Sequence, residues 1–146
     1  MIPAFYGLEE ILNNVPQKLA GISDELATVK PLPQKWSKKE ILGHLIDSAA
    51  NNHQRFVRMQ SSDFIQFPTY QQENWVSVQQ WQSRSWTDII NLWLLYNQHI
   101  LHIFKYIPAH SLQNTVQLGE GIYTLAFISD DYVSHLQHHL QQIIDL

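Results

Sequence analysis

The 146-residue sequence contains no cysteine and few charged residues. Without cysteine, disulfide bonds, iron–sulfur clusters, thiolate zinc sites and a cysteine nucleophile are excluded. Charged residues make up 15% of the chain, and the formal net charge is -4. A protein that binds nucleic-acid phosphates needs a basic face, so this balance predicts no nucleic-acid partner.

Long apolar runs are also missing. No stretch of about 18 apolar residues occurs, so we predict no membrane-spanning segment and no membrane partner. The N-terminal MIPAFYGLEEILNN lacks the basic and then apolar pattern of a signal peptide. We therefore expect a soluble, cytoplasmic protein. Its 45% hydrophobic content is enough for one core, and we expect a single domain over residues 1-146.

Helical periodicity and start or stop signals predict four helical segments, over about residues 5–29, 37–60, 85–107 and 124–145. Pro16 and Gly21 predict a bend or break in the first segment. Ser37 and Glu40 have the spacing of a capping box at the start of the second.

Two long connections join the last three helical segments. Residues 61–84 contain Pro68 and are predicted to form one helical turn near residues 76–82. Residues 108–123 contain Gly119-Glu120-Gly121 between two short alternating runs, which predicts a small hairpin. Together these features predict an all-α fold, a four-helix bundle with long crossover connections.

The last helix contains SHLQHHLQQI, in which three histidines lie within five positions. A helical projection predicts that one face of this helix looks into the bundle; that face contains Leu125, Ser129, Tyr132, Val133, Leu136, Leu140 and Ile143. His139 lies at its edge, His135 just beyond, and His138 on the opposite side. Imidazoles at i and i+4, such as His135 and His139, can share one metal ion.

Other histidines compete with this pair for a functional role. His99 and His102 lie three residues apart on the third helix at a similar angle to its apolar face. His44 lies off the apolar face of the second helix, in a polar column that also contains Asp47, Ser48, Asn51 and Arg55. That column is either a solvated face or the lining of a cleft. Periodicity leaves these alternatives open, including histidines with no ligand at all.

Two segments resemble a known family. KWSKKEILGHLIDSAANNHQRFVRMQ, over residues 35–60, and DYVSHLQHHLQQI, over residues 131–143, resemble the DinB-like (DinB/YfiT) superfamily of four-helix-bundle metalloproteins. The signature Trp-Ser/Thr-x-x-Glu-Ile-x-x-His-Leu-x-Asp matches residues 36–47. The terminal His-x-x-x-His followed by Gln matches His135, His139 and Gln142. The resemblance covers nearly the whole chain.

The resemblance implies a single divalent metal ion, zinc or nickel, bound by His44, His135 and His139. The remaining histidines have no matching role in the family: His53, His99, His102, His110 and His138. Three imidazoles leave coordination positions open for water or substrate, as in catalytic sites. Near such a site, Asp47 can orient a histidine or pair with Arg55 or Arg58. Asn51 and Arg55 can bind an anionic substrate group.

For function, the resemblance implies a metal-dependent enzyme with a small-molecule substrate. Some relatives are transferases that use low-molecular-weight thiols, and others are metal-dependent hydrolases. The alternative is a non-catalytic metal- or ligand-binding bundle that serves stress response. The tryptophan-rich crossover from Trp75 to Trp86 can cover the site or form a contact between subunits. We predict a homodimer.

Overall fold

Four helices of 12 to 21 residues form the body of the protein. The structure is a computed structural model that describes residues 1–146. The long helices are α1 (Pro3–Asn14), α4 (Lys38–Arg58), α6 (Trp86–Lys105) and α7 (Leu125–Leu140). Both α1 and α4 pack against α6 and α7, so the helices follow the cyclic order α1, α6, α4, α7. This arrangement confirms the predicted four-helix bundle.

The first predicted helical segment is divided into three helices. After α1, the chain forms α2 (Pro16–Ala20) and α3 (Asp24–Thr28), with breaks next to Pro16 and Gly21. Asp24 explains the position of α3: its Oδ1 accepts a hydrogen bond of 2.8 Å from the Trp86 backbone N–H and lies 3.1 Å from Lys39 Nζ. One carboxylate therefore connects α3 to both α4 and α6.

Side-chain caps fix where three of the long helices begin. Ser37 Oγ accepts from the Glu40 N–H at 3.2 Å, and Glu40 Oε1 accepts from the Ser37 N–H at 3.0 Å. These two bonds confirm the predicted capping box, which satisfies free N–H groups at the start of α4. The side-chain oxygens of Ser85 and Thr124 cap α6 and α7, each accepting one backbone N–H at 3.1 Å.

The two long crossovers meet in a small sheet. The first contains β1 (Phe64–Gln66) and α5 (Gln72–Gln79), and the second contains β2 (Thr115–Leu118) and β3 (Gly121–Thr124). Strand β2 pairs antiparallel with β3 and parallel with β1. The predicted hairpin is confirmed, and Gly119 adopts a φ of 60° in its two-residue loop, which glycine tolerates without strain.

Some element boundaries differ from the predictions. Strand β1 was not predicted, because three residues carry no clear alternation and their partner strand lies far along the chain. Helix α5 begins before the predicted turn at residue 76, and α7 ends at Leu140 rather than near residue 145. After Leu140 the chain continues in turns.

The core lies between the four long helices, and the predicted inner face of the last helix is buried throughout. Near one end of the core, the Phe56 ring makes edge contacts with Phe104 and Tyr132. The Tyr132 hydroxyl donates a hydrogen bond of 2.6 Å to Asn97 Oδ1, so this buried polar pair is satisfied. None of the helices is both long enough and apolar enough to cross a membrane.

Candidate metal centre

Three histidines from opposite ends of the chain converge between α4 and α7. His44 is on α4, whereas His135 and His139 are one turn apart on α7. Each offers a ring nitrogen, and these nitrogens all lie within 4.8 Å of one another. The Nε2 atoms of His44 and His135, which are 91 residues apart in sequence, are separated by 3.2 Å. The convergence predicted for these residues is therefore present.

The distance between the His44 and His135 nitrogens suits a shared cation. Two nitrogens that each lie about 2.0–2.1 Å from one ion at a tetrahedral angle are about 3.3–3.4 Å apart, close to the observed 3.2 Å. His139 Nδ1 lies 3.0 Å from Gln142 Oε1. If that nitrogen carries the proton, His139 Nε2 has a free lone pair, as a metal ligand requires. The donor set and its spacing thus fit a divalent metal.

The environment lowers the pKa of two of these imidazoles, those of His44 and His135. The pKa of His44 is lowered to about 3, because burial disfavours the charged ring and His135 and His139 lie close to it. Burial, followed by the nearby His139 and His138, lowers the pKa of His135 to about 4. Neutral imidazoles are the form that binds metal, so no proton has to leave these two rings at neutral pH.

Two tryptophans pack beside the histidines, one against His44 and one against the residue before it. The Trp36 ring packs against the His44 ring, with centroids 4.9 Å apart. The Trp81 indole lies directly on Gly43, where a Cβ would come within 2.5 Å of the ring. Gly43 therefore allows the crossover to approach α4 beside the histidines. The tryptophan-rich crossover covers this side of the site.

A cavity of about 430 Å³ adjoins the metal centre at His135. Its polar lining includes Ser48, Asn52, Arg55, Tyr70 and His135. Of the two interpretations of the polar column on α4, the cleft lining is the better description. Ser48 and Arg55 line the cavity, and the whole column is buried. Asn52 and Tyr70 were not predicted, because neither belongs to a motif.

A family model and a solved structure match this chain. The DinB superfamily model matches residues 8–143, nearly the full length. The chain belongs to the DinB superfamily. The structure of YfiT from Bacillus subtilis, described as a probable metal-dependent hydrolase with an unusual four-helix bundle topology, is similar with a TM-score of 0.71 and 14% identity. The match covers 96% of this chain and 85% of YfiT. Comparison with curated proteins gives no match.

Asp47 lies beside the centre of this DinB-superfamily protein and forms no hydrogen bond or ion pair with the histidines or with an arginine. Its Oδ1 accepts a hydrogen bond of 2.7 Å from Gln79 Nε2, on α5. Burial raises the pKa of Asp47 to about 6. Asn51, the other predicted neighbour, donates to the Asp47 backbone carbonyl at 2.9 Å. The Asp47 side chain therefore connects α4 to α5 in the first crossover, whereas the Asn51 bond stays within α4.

The other histidines of this DinB-superfamily protein lie outside the centre. The histidine cluster with metal-ligand spacing contains only His44, His135 and His139. His99 and His102 are exposed on α6, with ring centroids 6.4 Å apart. His138 is exposed on α7, as the helical projection predicted. The rival pair therefore has no third ligand.

The metal-free protein is expected to lose roughly 2 kcal/mol of stability between about pH 7 and pH 4.5. His44 and His135 have pKa values below the unfolded value of 6.5. The unfolded chain therefore takes up protons first as the pH falls through 6.5. Asp47, with a raised pKa, acts in the opposite direction and offsets part of the loss.

Urea unfolding of chelator-treated protein at several pH values measures this loss. The matched comparison is His44→Gln, which removes one of the two buried groups and should flatten the profile, against His110→Gln at an exposed position of the second crossover, which should leave it unchanged. An unchanged free energy of unfolding across the range would contradict the neutral, buried histidines described above.

Proposed function

We propose that His44, His135 and His139 bind one divalent metal ion and that the protein is a metal-dependent enzyme acting on a small molecule. The observation that carries this proposal is the convergence of three imidazoles, one of which, His135, lines a cavity. Structural metal sites usually have four protein ligands, whereas three ligands with open positions are typical of catalytic sites. The large core also supports a fold that does not depend on the metal.

Zinc or nickel suits this donor set. Imidazole ligands favour zinc, copper, iron and nickel, whereas magnesium and calcium prefer oxygen ligands. No carboxylate or thiolate belongs to the cluster. The choice between zinc and nickel depends on geometry and availability, and metal analysis of the native protein decides it.

A divalent ion in an open three-histidine site supplies Lewis-acid activation of water or of a thiol. The chain's own residues then have distinct roles. Trp36 and Trp81 exclude water from the His44 side, and Gln142 fixes the orientation of the His139 ring. His135 faces the cavity, through which a substrate can approach.

Two reaction classes fit this arrangement. The first is hydrolysis, with water as the nucleophile. The second is transfer of a low-molecular-weight thiol to an electrophilic substrate. Because the chain contains no cysteine, the thiol of the second reaction has to be a separate small molecule. YfiT is described as a probable metal-dependent hydrolase, and this description supports the first class.

Turnover measurements test the proposal. Protein purified without a nickel column is assayed with a thiol and an electrophile together, and separately with ester and amide substrates. We expect one class to be processed, the activity to disappear after chelation, and zinc or nickel to restore it. Metal-loaded protein that processes none of these substrates would instead support a non-catalytic metal-binding bundle.

A further inference from the structure

Arg55 is a buried cation without an anionic partner. It lies in the last turn of α4 and is 8% exposed. Its Nε has no hydrogen-bond partner, and Nη1 makes one long bond of 3.4 Å to Asn52 Oδ1. The ion pairs of the structure are Lys30–Glu40 and Lys39–Asp24, so no carboxylate neutralises Arg55.

This burial is unfavourable in the free protein. Arginine keeps its charge at neutral pH even where burial lowers its pKa, as it does for Arg55. A buried charge normally has an opposite charge or a full set of hydrogen bonds. Here the partial compensation comes from the Phe67 ring, whose centroid lies 5.5 Å from the guanidinium carbon. An anion is the missing partner.

Arg58 lies in the same turn of α4, and its side chain shows that an arginine there need not be buried without a partner. Its guanidinium carbon lies 6.0 Å from the same Phe67 ring, but the side chain is exposed and donates to Gln54 Oε1 at 2.9 Å. Both arginines interact favourably with the C-terminus of α4. Only Arg55 lines the cavity that adjoins His135.

We propose that Arg55 binds an anionic group of the substrate, a carboxylate or a phosphate, at the end of the cavity away from the three histidines. This inference rests on the proposed function, since it names the class of molecule that the centre acts on. The planar guanidinium matches both anions through paired N–H donors. The hydroxyl groups of Ser48 and Tyr70, which also line the cavity, offer further donors.

The spacing along α4 separates the anionic end of the substrate from its reacting end. Arg55 follows His44 by three helical turns, a rise of roughly 16 Å between their Cα atoms. Asp131, an exposed carboxylate that also lines the cavity, lies one turn before His135. Its charge disfavours a second anion near the histidines. The geometry therefore selects an elongated molecule with an anion at one end.

Binding of matched probes to cobalt(II)-loaded protein tests the inference. The probes are ω-mercaptocarboxylates of increasing chain length, the corresponding ω-mercaptoalkyl phosphates and the neutral ω-mercaptoalcohols. Their dissociation constants are read from thiolate-to-cobalt absorption. For the best chain length we expect an anionic probe to bind about tenfold tighter than the alcohol, or more, as for a charge-assisted hydrogen bond. The two anionic series show which anion is preferred.

Arg55→Gln is expected to abolish this preference while retaining cobalt, and Arg58→Gln is the matched control that keeps it. Arg55→Lys keeps the positive charge but not the paired N–H donors of the guanidinium, so it should retain a smaller preference for anionic probes. That variant also answers the question if Arg55→Gln does not fold. Equal affinities of anionic and neutral probes in wild-type, cobalt-loaded protein would overturn the inference.

A second measurement does not depend on metal. Succinate or inorganic phosphate should raise the melting temperature of metal-free wild-type protein and of Arg58→Gln, but not that of Arg55→Gln. If cobalt fails to bind the histidines, the proposed function fails, whereas this thermal shift still reports on Arg55. If cobalt binds and neither probe preference nor thermal shift is seen, the role of Arg55 is wrong while the metal centre stands.

Discussion

Replacing His44 with alanine is expected to weaken divalent-metal binding by more than about 100-fold, beyond the loss usual for residues that only support a ligand. His44 is the one histidine that α4 contributes to the cluster. Without it, the remaining pair on α7 offers two imidazoles, and the 3.2 Å approach between His44 and His135 is lost. Two imidazoles alone hold a metal ion weakly in water.

Competition with a chromophoric chelator measures this loss, on protein purified without a nickel column. His138→Ala is the matched control, because its ring lies 5.0 Å from that of His139 but the side chain is exposed. Its metal affinity should equal that of the wild-type protein. Unchanged affinity in His44→Ala, together with loss in a His99→Ala/His102→Ala variant, would move the site to the rival pair.

Phe56→Ala is expected to lower the free energy of unfolding by about 4 kcal/mol, within the usual range for a buried phenylalanine. Phe56 is fully buried on α4. Its ring lies 4.9 Å from that of Phe104 on α6 and 5.6 Å from that of Tyr132 on α7. Truncation therefore removes packing between three of the four long helices and leaves a cavity that the rigid bundle can fill only in part.

Denaturant unfolding of the metal-free protein measures this change. Val57→Ala is the control, since Val57 is the next residue and is 48% exposed. Its effect should stay within about 0.5 kcal/mol, as is usual for surface substitutions. A loss below about 1 kcal/mol for Phe56→Ala would show that the helices do not pack around this ring as described.

Both expectations depend on packing between α4 and α7, a feature that local patterns describe only in part. A helical projection places His44 off the apolar face of its helix, where a solvated position is equally possible. In the structure His44 is fully buried, because the polar column of α4 faces a cleft and Trp36 packs against the ring. The family signature pointed to His44, whereas periodicity alone did not.

Other features of the site have no local signal. Asp47 was predicted to contact a histidine or an arginine, but its carboxylate accepts from Gln79 on α5. Strand β1 forms only because the second crossover supplies β2 as its partner. Whether the protein is a homodimer remains a prediction, which its mass in solution at micromolar concentration checks.

The sequence by itself determined where α4, α6 and α7 begin, which face of α7 is buried and where the hairpin turns. Caps such as Ser37 with Glu40, the 3.6-residue period and Gly119 all act within a few residues. Only the tertiary structure decided that His44 meets His135, that Arg55 is buried without an anion and that a cavity lies between them. Those results depend on how side chains that are far apart in sequence pack together in the interior.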